Sequence, residues 1–352
     1  MSTTIPAHPL ELDKLTAHVT TLLTTFLDTK REPKELRPLT DAITAFIGAG
    51  GKRIRPLMAI VGWHAAGAKG EEYQIMRVAA GLEMLHAAIL IHDDVIDASA
   101  TRRGAPTTHR RFAAQHHGPA ADRFGAAAAI TAGDVVFAWA EELLRTAGLT
   151  HAQLRQLNVP LAAMRQEVMI GQYLDVKHAG NTGATMEDAL AICRYKTAHY
   201  TIHRPLQIGA ALSYASPDVL DAMTAFGVPL GEAFQLRDDV LGVFGDPATT
   251  GKPNLDDLRE GKHTALIAAA RKASTPDQRP ILARSWGNPC LTEDDAAQVR
   301  TIMHATAATA TVGSLINTRH HQAVTALDKA PFPARATKTL HTLATHIVKR
   351  TS

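Results

Sequence analysis

Two pairs of adjacent aspartates, Asp93-Asp94 and Asp238-Asp239, follow the long apolar runs "LEMLHAAILIH" and "LGEAFQL". Carboxylates are rarely buried without a counter-charge or a metal ion. A fold that packs these runs must therefore leave both pairs facing a cation or a polar cavity. The runs themselves read as helix. Alanine stretches recur ("AAAAITAG", "ALIAAARKA", "MHATAATATVG"), and alternating β-branched runs are scarce. Alanine is the best helix former, and alternation is what a half-buried strand needs. The fold class is therefore all-α: a single large helical bundle around a central cavity. Acidic pairs on facing helices of such a bundle are suited to a small cluster of Mg²⁺. The natural partner of that cluster is a phosphate or diphosphate.

The 352 residues are 45% hydrophobic, enough for one large core. No shift in composition marks a boundary, so residues 1–352 read as one domain, with a leading helix and connector over 1–35. Helices are expected over 72–97, 123–147, 185–213, 216–244, 292–313 and 314–329, among others, with Gly, Pro, Asn and Asp in the breaks. A net charge of +3 without a long basic run excludes a nucleic-acid binder. Two cysteines rule out a disulfide framework and point to a reducing cytoplasm. No charge-free apolar stretch reaches about 18 residues, so no stable membrane insertion is expected. The opening "MSTTIPAHPLELDK" lacks the pattern of a secretory signal.

Asp93 and Asp97 are four apart and share a helix face, with Asp94 offset. Such a pair repels itself unless a cation intervenes. Arg102 and Arg103 follow closely; their planar forks suit two separate diphosphates. Around the second pair, Gln235 lies one turn earlier, and Lys252 and Lys262 follow in a Gly-rich loop. Gly242, four residues after Asp238, cannot ligate and suggests close packing. Asp256-Asp257, at a loop-to-helix junction, reads as an N-cap. "GAGGKRIRP" joins glycines to Lys52, Arg53 and Arg55, a loop whose backbone and cations suit an anion. It lacks the strand and Ser/Thr of a nucleotide P-loop. His116-His117 and His320-His321 lack ligand spacing and read as surface or packing residues.

In this order, "GGKRIRP", "HDDVIDASATRRG", "GQYLD", "YKTAHYT", "FQLRDDVLGVFGDP", "TGKP" and "EGKHT" resemble the trans-isoprenyl diphosphate synthases, the polyprenyl synthetases, especially bacterial geranylgeranyl diphosphate synthases. The resemblance implies Lys52, Arg55, His86 and Arg103 as ligands of isopentenyl diphosphate. It implies Arg102, Lys196, Lys252 and Lys262 for the allylic diphosphate. It implies Asp93, Asp97 and Asp238 as ligands of about three Mg²⁺, supported by Asp94 and Asp239. Catalytic roles fall to Arg102, Lys196, Thr197 and Gln235, and "GQYLD" at 171–175 would line the allylic site. The second motif of the family often ends in Asp where this chain has Gly242. A cytoplasmic homodimer is implied as well. The residues four, five and eight before Asp93 are Ile89, Ala88 and Leu85. Ala88 is small and neither it nor Ile89 is aromatic, which points to a product longer than farnesyl diphosphate, with geranylgeranyl diphosphate as the single best value. The alternatives are a farnesyl or longer polyprenyl diphosphate synthase, a class I terpene cyclase, and a non-catalytic partner subunit of a synthase.

Overall fold

The computed structural model describes residues 8–31, 33–246 and 254–349. Lys252 lies outside the described residues. Helix dominates, and strand among the described residues is confined to one two-stranded hairpin. The chain divides into two compact units, described in turn.

The N-terminal unit comprises Leu10–Leu157 and Ile208–Tyr214. Its helices are α1 (Leu12–Asp28), α2 (Arg37–Gly48), α3 (Ile54–Ala65), α4 (Glu72–Ile96), α5 (Thr108–Ala113) and α6 (Ala121–Arg145), followed by the start of α7 (His151–His178). Helix α4 is its axis. A reciprocal cap starts it: the Glu71 carboxylate accepts from the third helical N–H, and Gln74 accepts from the Glu71 N–H. The helix is apolar on nearly every side, and Ile75, Leu82, Met84, Leu85 and Ile91 are completely buried, as expected of a core helix. It ends at Asp97, where Ala98 turns left-handed at φ 52°. The chain then forms the hairpin β1 (Thr101–Arg102) and β2 (Ala105–Pro106), which the sequence did not predict. Its two central residues, Arg103 and Gly104, have φ 53° and 74°, the paired positive values of a tight hairpin turn.

By length and composition, α4 and α6 could each cross a membrane. Protein buries 72% of the apolar window of α4, so its hydrophobicity serves the core. For α6 the buried share is only 33%, and Phe124 and Ile130 stay exposed.

The C-terminal unit comprises Asn158–Gln207 and the described residues from Ala215 onward. Residues 185–213, expected as one helix, break into α8 (Met186–Ile192), a π-helical stretch Cys193–His203, and α9 (Arg204–Leu212). Pro205 lies just beyond the π-helical stretch. Its nitrogen has no hydrogen to give the carbonyl four residues back, and its ring crowds that carbonyl. The turn before it widens: the Arg204 N–H donates to the His199 carbonyl, five residues earlier. Gly171 on α7 and Gly231 on α10 (Pro217–Phe244) lie against this stretch. A Cβ at either would overlap the backbone of Lys196 or Ala198.

Beyond α10 come α11 (Asp256–Arg259), α12 (Ala265–Ala273), α13 (Gln278–Ser285), α14 (Glu293–Ala305), α15 (Ala308–Asp328) and α16 (Ala334–Lys349). They close over a core that includes Leu236, Leu258, Leu266, Trp286 and Val299. The break expected at 313/314 falls instead at Thr306-Ala307. There the Thr306 hydroxyl donates to the Ile302 carbonyl at 2.7 Å, and Ala307 takes φ 55°.

Candidate active site

The N-terminal unit gathers one set of charged groups. Helix α4 carries His86, Ile89, Asp93 and Asp97 along one half-exposed stripe, as their spacing requires. The hairpin brings Arg102 onto its end. Arg102 Nε donates to Asp94 Oδ1 at 2.6 Å, and its Nη2 lies 2.5 Å from the same oxygen and 3.6 Å from Asp93 Oδ2. Burial works against the guanidinium charge. The Asp94 hydrogen bond and the charges of Asp94, Asp93 and Asp97 outweigh it and raise the Arg102 pKa. Asp94 is fully buried and serves as the counter-charge of Arg102. Asp93 and Asp97 keep the accessible stripe.

The glycine loop delivers its cations unequally. Gly50 and Gly51 have φ 85° and 146°, values that favour glycine, and Arg53 sits left-handed at φ 46°. The backbone thereby turns Arg53 inward. It donates to Glu83 Oε1 at 2.5 Å and to the Ile47 carbonyl at 2.9 Å, and both partners of the ion pair are about 5% exposed. Of the three cations read as an anion loop, Arg53 is thus an internal tie. Lys52 is exposed and Arg55 half-buried. Arg103, at the hairpin tip, donates to the Gly50 carbonyl, and a Cβ at Gly51 would strike its guanidinium.

His86 reports the field of this loop. Burial, then the charges of Arg55, Arg103, Arg102 and Arg53, in that order, hold its pKa well below the usual value, so the ring is neutral. Burial and the neighbouring arginines also lower Arg103, against the pull of Glu83. Arg53 and Arg102 are already paired with Glu83 and Asp94, so the anion-binding candidates among these four are Arg55 and Arg103.

The chain-length candidates differ in place. Ile89 shares the stripe of Asp93, whereas Ala88 and Leu85 are completely buried. At 100° per residue, Ala88 points about 140° away from Asp93, so these three residues do not share one face.

The C-terminal unit holds the second set. Lys196 and Thr197 stand on the π-helical stretch. Lys196 Nζ pairs with Asp175 Oδ2 at 2.6 Å. The Thr197 hydroxyl donates to Gln235 Oε1 at 2.5 Å, and Gln235 Nε2 donates to Asp239 Oδ1 at 2.6 Å. Both ends of the Gln235 amide are thus engaged, fixing the π-helical stretch to α10. Asp239 is buried and Asp238 half-exposed. Burial pushes Asp239 up to about 8. The Gln235 hydrogen bond opposes this, and the charges of Asp257, Asp238 and Asp175 add to it. Lys262 Nζ lies 2.9 Å from Glu260 Oε2 and 3.8 Å from Asp257 Oδ1. Asp257 is not the expected N-cap. Leu255 holds that position in α11 without a side-chain cap, and the Asp257 carboxylate lies against Gly242.

Among the described residues, no three His, Cys, Asp or Glu side chains converge as a ready metal cage. The donor chemistry nevertheless fits Mg²⁺, which takes one or two carboxylates and completes its shell with water and substrate oxygens. The crowded carboxylates around Asp239 are the kind of charge a cation relieves.

Asp175 and Glu83, partners of Lys196 and Arg53, escaped the sequence reading; only the "GQYLD" segment hinted at Asp175. Glu167 was missed entirely. It takes Arg204 Nε at 2.7 Å and Nη2 at 2.5 Å, with His199 Nδ1 at 2.9 Å. Burial opposes its charge, but the hydrogen bonds from Arg204 and His199 win and bring it down from 4.5 to about 2. A carboxylate with a depressed folded pKa stabilises the fold above its unfolded pKa and loses that contribution as the pH falls. Glu167→Gln should therefore cost about 2 kcal/mol near neutral pH, after allowance for solvent screening. Its loss of stability between pH 4.5 and about 2 should be shallower than that of the parent. Denaturant titrations across that range check it; parallel curves for the two proteins would contradict the assignment.

The polyprenyl synthetase pattern matches residues 37–303. The chain is 34% identical over 269 residues to the geranylfarnesyl diphosphate synthase of Aeropyrum pernix, covering 75% of this chain and 79% of that protein. It is 31% identical to the octaprenyl diphosphate synthase of Escherichia coli, covering 67% of each. The crystal structure of geranylgeranyl pyrophosphate synthase from Corynebacterium glutamicum, complexed with isoprenyl diphosphate and magnesium, superposes with a TM-score of 0.93 at 37% identity. That match covers 97% of this chain and all of that one. The family match and the fold thus make this an all-α prenyltransferase. The chain belongs to the polyprenyl synthetase family.

Proposed function

We propose that the protein catalyses the Mg²⁺-dependent head-to-tail condensation of isopentenyl diphosphate with allylic diphosphates, giving geranylgeranyl diphosphate. The observation that carries this reading is the group of arginines around neutral His86, beside the accessible pair Asp93 and Asp97. An anion site next to a carboxylate pair suits an enzyme that binds a diphosphate substrate and a divalent cation together.

In this reading Lys52, Arg55, His86 and Arg103 hold isopentenyl diphosphate. Neutral His86 donates a hydrogen bond and adds no charge. Asp93, Asp97 and Asp238 carry about three Mg²⁺, with Asp94 and Asp239 in support. Bound magnesium makes the allylic diphosphate a better leaving group. Arg102, Lys196, Lys252 and Lys262 stabilise the charge that grows on it. The isopentenyl double bond attacks the allylic carbon, the carbon–oxygen bond to diphosphate breaks, and the released diphosphate takes the proton lost from the new chain. Thr197 and Gln235 present oxygen atoms to the cationic carbon skeleton. Residues 1–352 act as one catalytic domain, in the cytoplasm. A homodimer, which the family resemblance implies, belongs to the same reading.

Product length is assigned to Ile89, Ala88 and Leu85. The relatives run from geranylgeranyl to octaprenyl diphosphate synthases, and in this reading local bulk along the cavity sets the length. Product analysis tests this. The parent should give mainly geranylgeraniol after dephosphorylation. Ile89→Phe, on the stripe of Asp93, should shift the product towards farnesol. Ala88→Phe, on the buried side of the helix, should cost about 1–3 kcal/mol in stability because its site is already filled, and a shorter product from it would show that the cavity reaches that side. An unchanged product from Ile89→Phe would place the floor elsewhere.

A further inference from the structure

Position 242 follows Asp238 by four residues and Asp239 by three, so it shares their stripe of α10. Glycine leaves that place without a side chain, and a carboxylate from another element fills it. A Cβ built on Gly242 would overlap Asp257 Oδ2. The other oxygen, Oδ1, lies 3.8 Å from Lys262 Nζ. The loop that presents both groups is fixed: the Lys262 N–H donates to the Asp257 carbonyl at 3.0 Å, and the Trp286 indole donates to the Lys262 carbonyl at 3.1 Å. Asp257 does not cap its own helix, so capping does not explain its orientation.

We propose that Asp257 is a positioning residue of the second acidic set: through the gap left by Gly242, it brings a third carboxylate to the stripe of Asp238 and Asp239. This rests on the reading of Asp238 as a magnesium ligand. No three ligating side chains meet at one point among the described residues, so Asp257 is not assigned as a direct ligand. It acts through the water shell of the cation. Mg²⁺ usually keeps several waters, and outer carboxylates that hold such shells matter to affinity. Gly242 is then a residue that makes room, and a side chain there would evict the carboxylate.

The test uses the full-length protein, with inorganic diphosphate at a fixed concentration and Mg²⁺ titrated, following the shift in melting temperature. Asp257→Asn should raise the Mg²⁺ midpoint about tenfold while leaving the ligand-free melting temperature near that of the parent. Gly242→Ala should move the midpoint the same way. The double variant Gly242→Asp with Asp257→Gly, which returns the carboxylate from α10 itself, should recover most of the loss. A midpoint for Asp257→Asn within about twofold of the parent, while Asp238→Ala weakens the response, would overturn the role of Asp257 alone. No Mg²⁺-dependent shift in the parent would overturn the metal reading of Asp238 and this inference with it.

Discussion

Asp93→Ala should lower turnover by roughly a thousandfold or more, equivalent to about 4 kcal/mol of transition-state stabilisation. The folded protein should remain. Asp93 stands on the accessible stripe of α4 with Asp97, and its link to Arg102 is long, at 3.6 Å. The structural partner of that arginine is Asp94, at 2.6 Å from Nε and 2.5 Å from Nη2. The substitution therefore removes a proposed metal carboxylate and leaves the buried ion pair in place. Asp94→Ala should strand Arg102 and lower stability as well as turnover. Initial rates and melting temperatures on both variants separate the roles. Near-normal turnover by Asp93→Ala would remove it from the site.

Glu83→Ala should destabilise the protein by about 3–5 kcal/mol, because breaking a buried ion pair leaves the other charge uncompensated. Arg53 and Glu83 are 4% and 5% exposed and meet at 2.5 Å. Arg53 cannot swing out to water easily: its backbone is left-handed, and its second nitrogen is held by the Ile47 carbonyl. The affected loop carries Lys52 and Arg55, so binding of isopentenyl diphosphate should weaken in parallel. Urea titration measures the first effect. A loss below about 1 kcal/mol would show that the pair contributes little.

Most of the helices were legible because alanine-rich, amphipathic runs between Gly and Pro breaks have few alternatives. Two features resisted. The π-helical stretch ends on a hydrogen bond that spans five residues, and periodicity carries no sign of such a bond. The hairpin at Thr101–Pro106 is too short for an alternating pattern; only "RRG" marked a turn. The metal and diphosphate candidates were legible as motifs, but the division of labour among neighbours was not. Sequence adjacency cannot tell that Arg53 turns inward while Lys52 stays exposed, or that Asp94 is spent on Arg102. Gly242 showed as a missing carboxylate, and what fills its place, Asp257, lies fifteen positions on and required coordinates.

The most direct test of the central claim is diphosphate release from an allylic diphosphate, measured in Mg²⁺ with and without isopentenyl diphosphate, with the organic product identified in parallel. The account predicts release only when both substrates are present, matched one for one by five-carbon extension and abolished by a chelator. Release from the allylic substrate alone, with a hydrocarbon as product, would contradict it and favour a cyclase. No release under either condition would also contradict it and leave the partner-subunit reading.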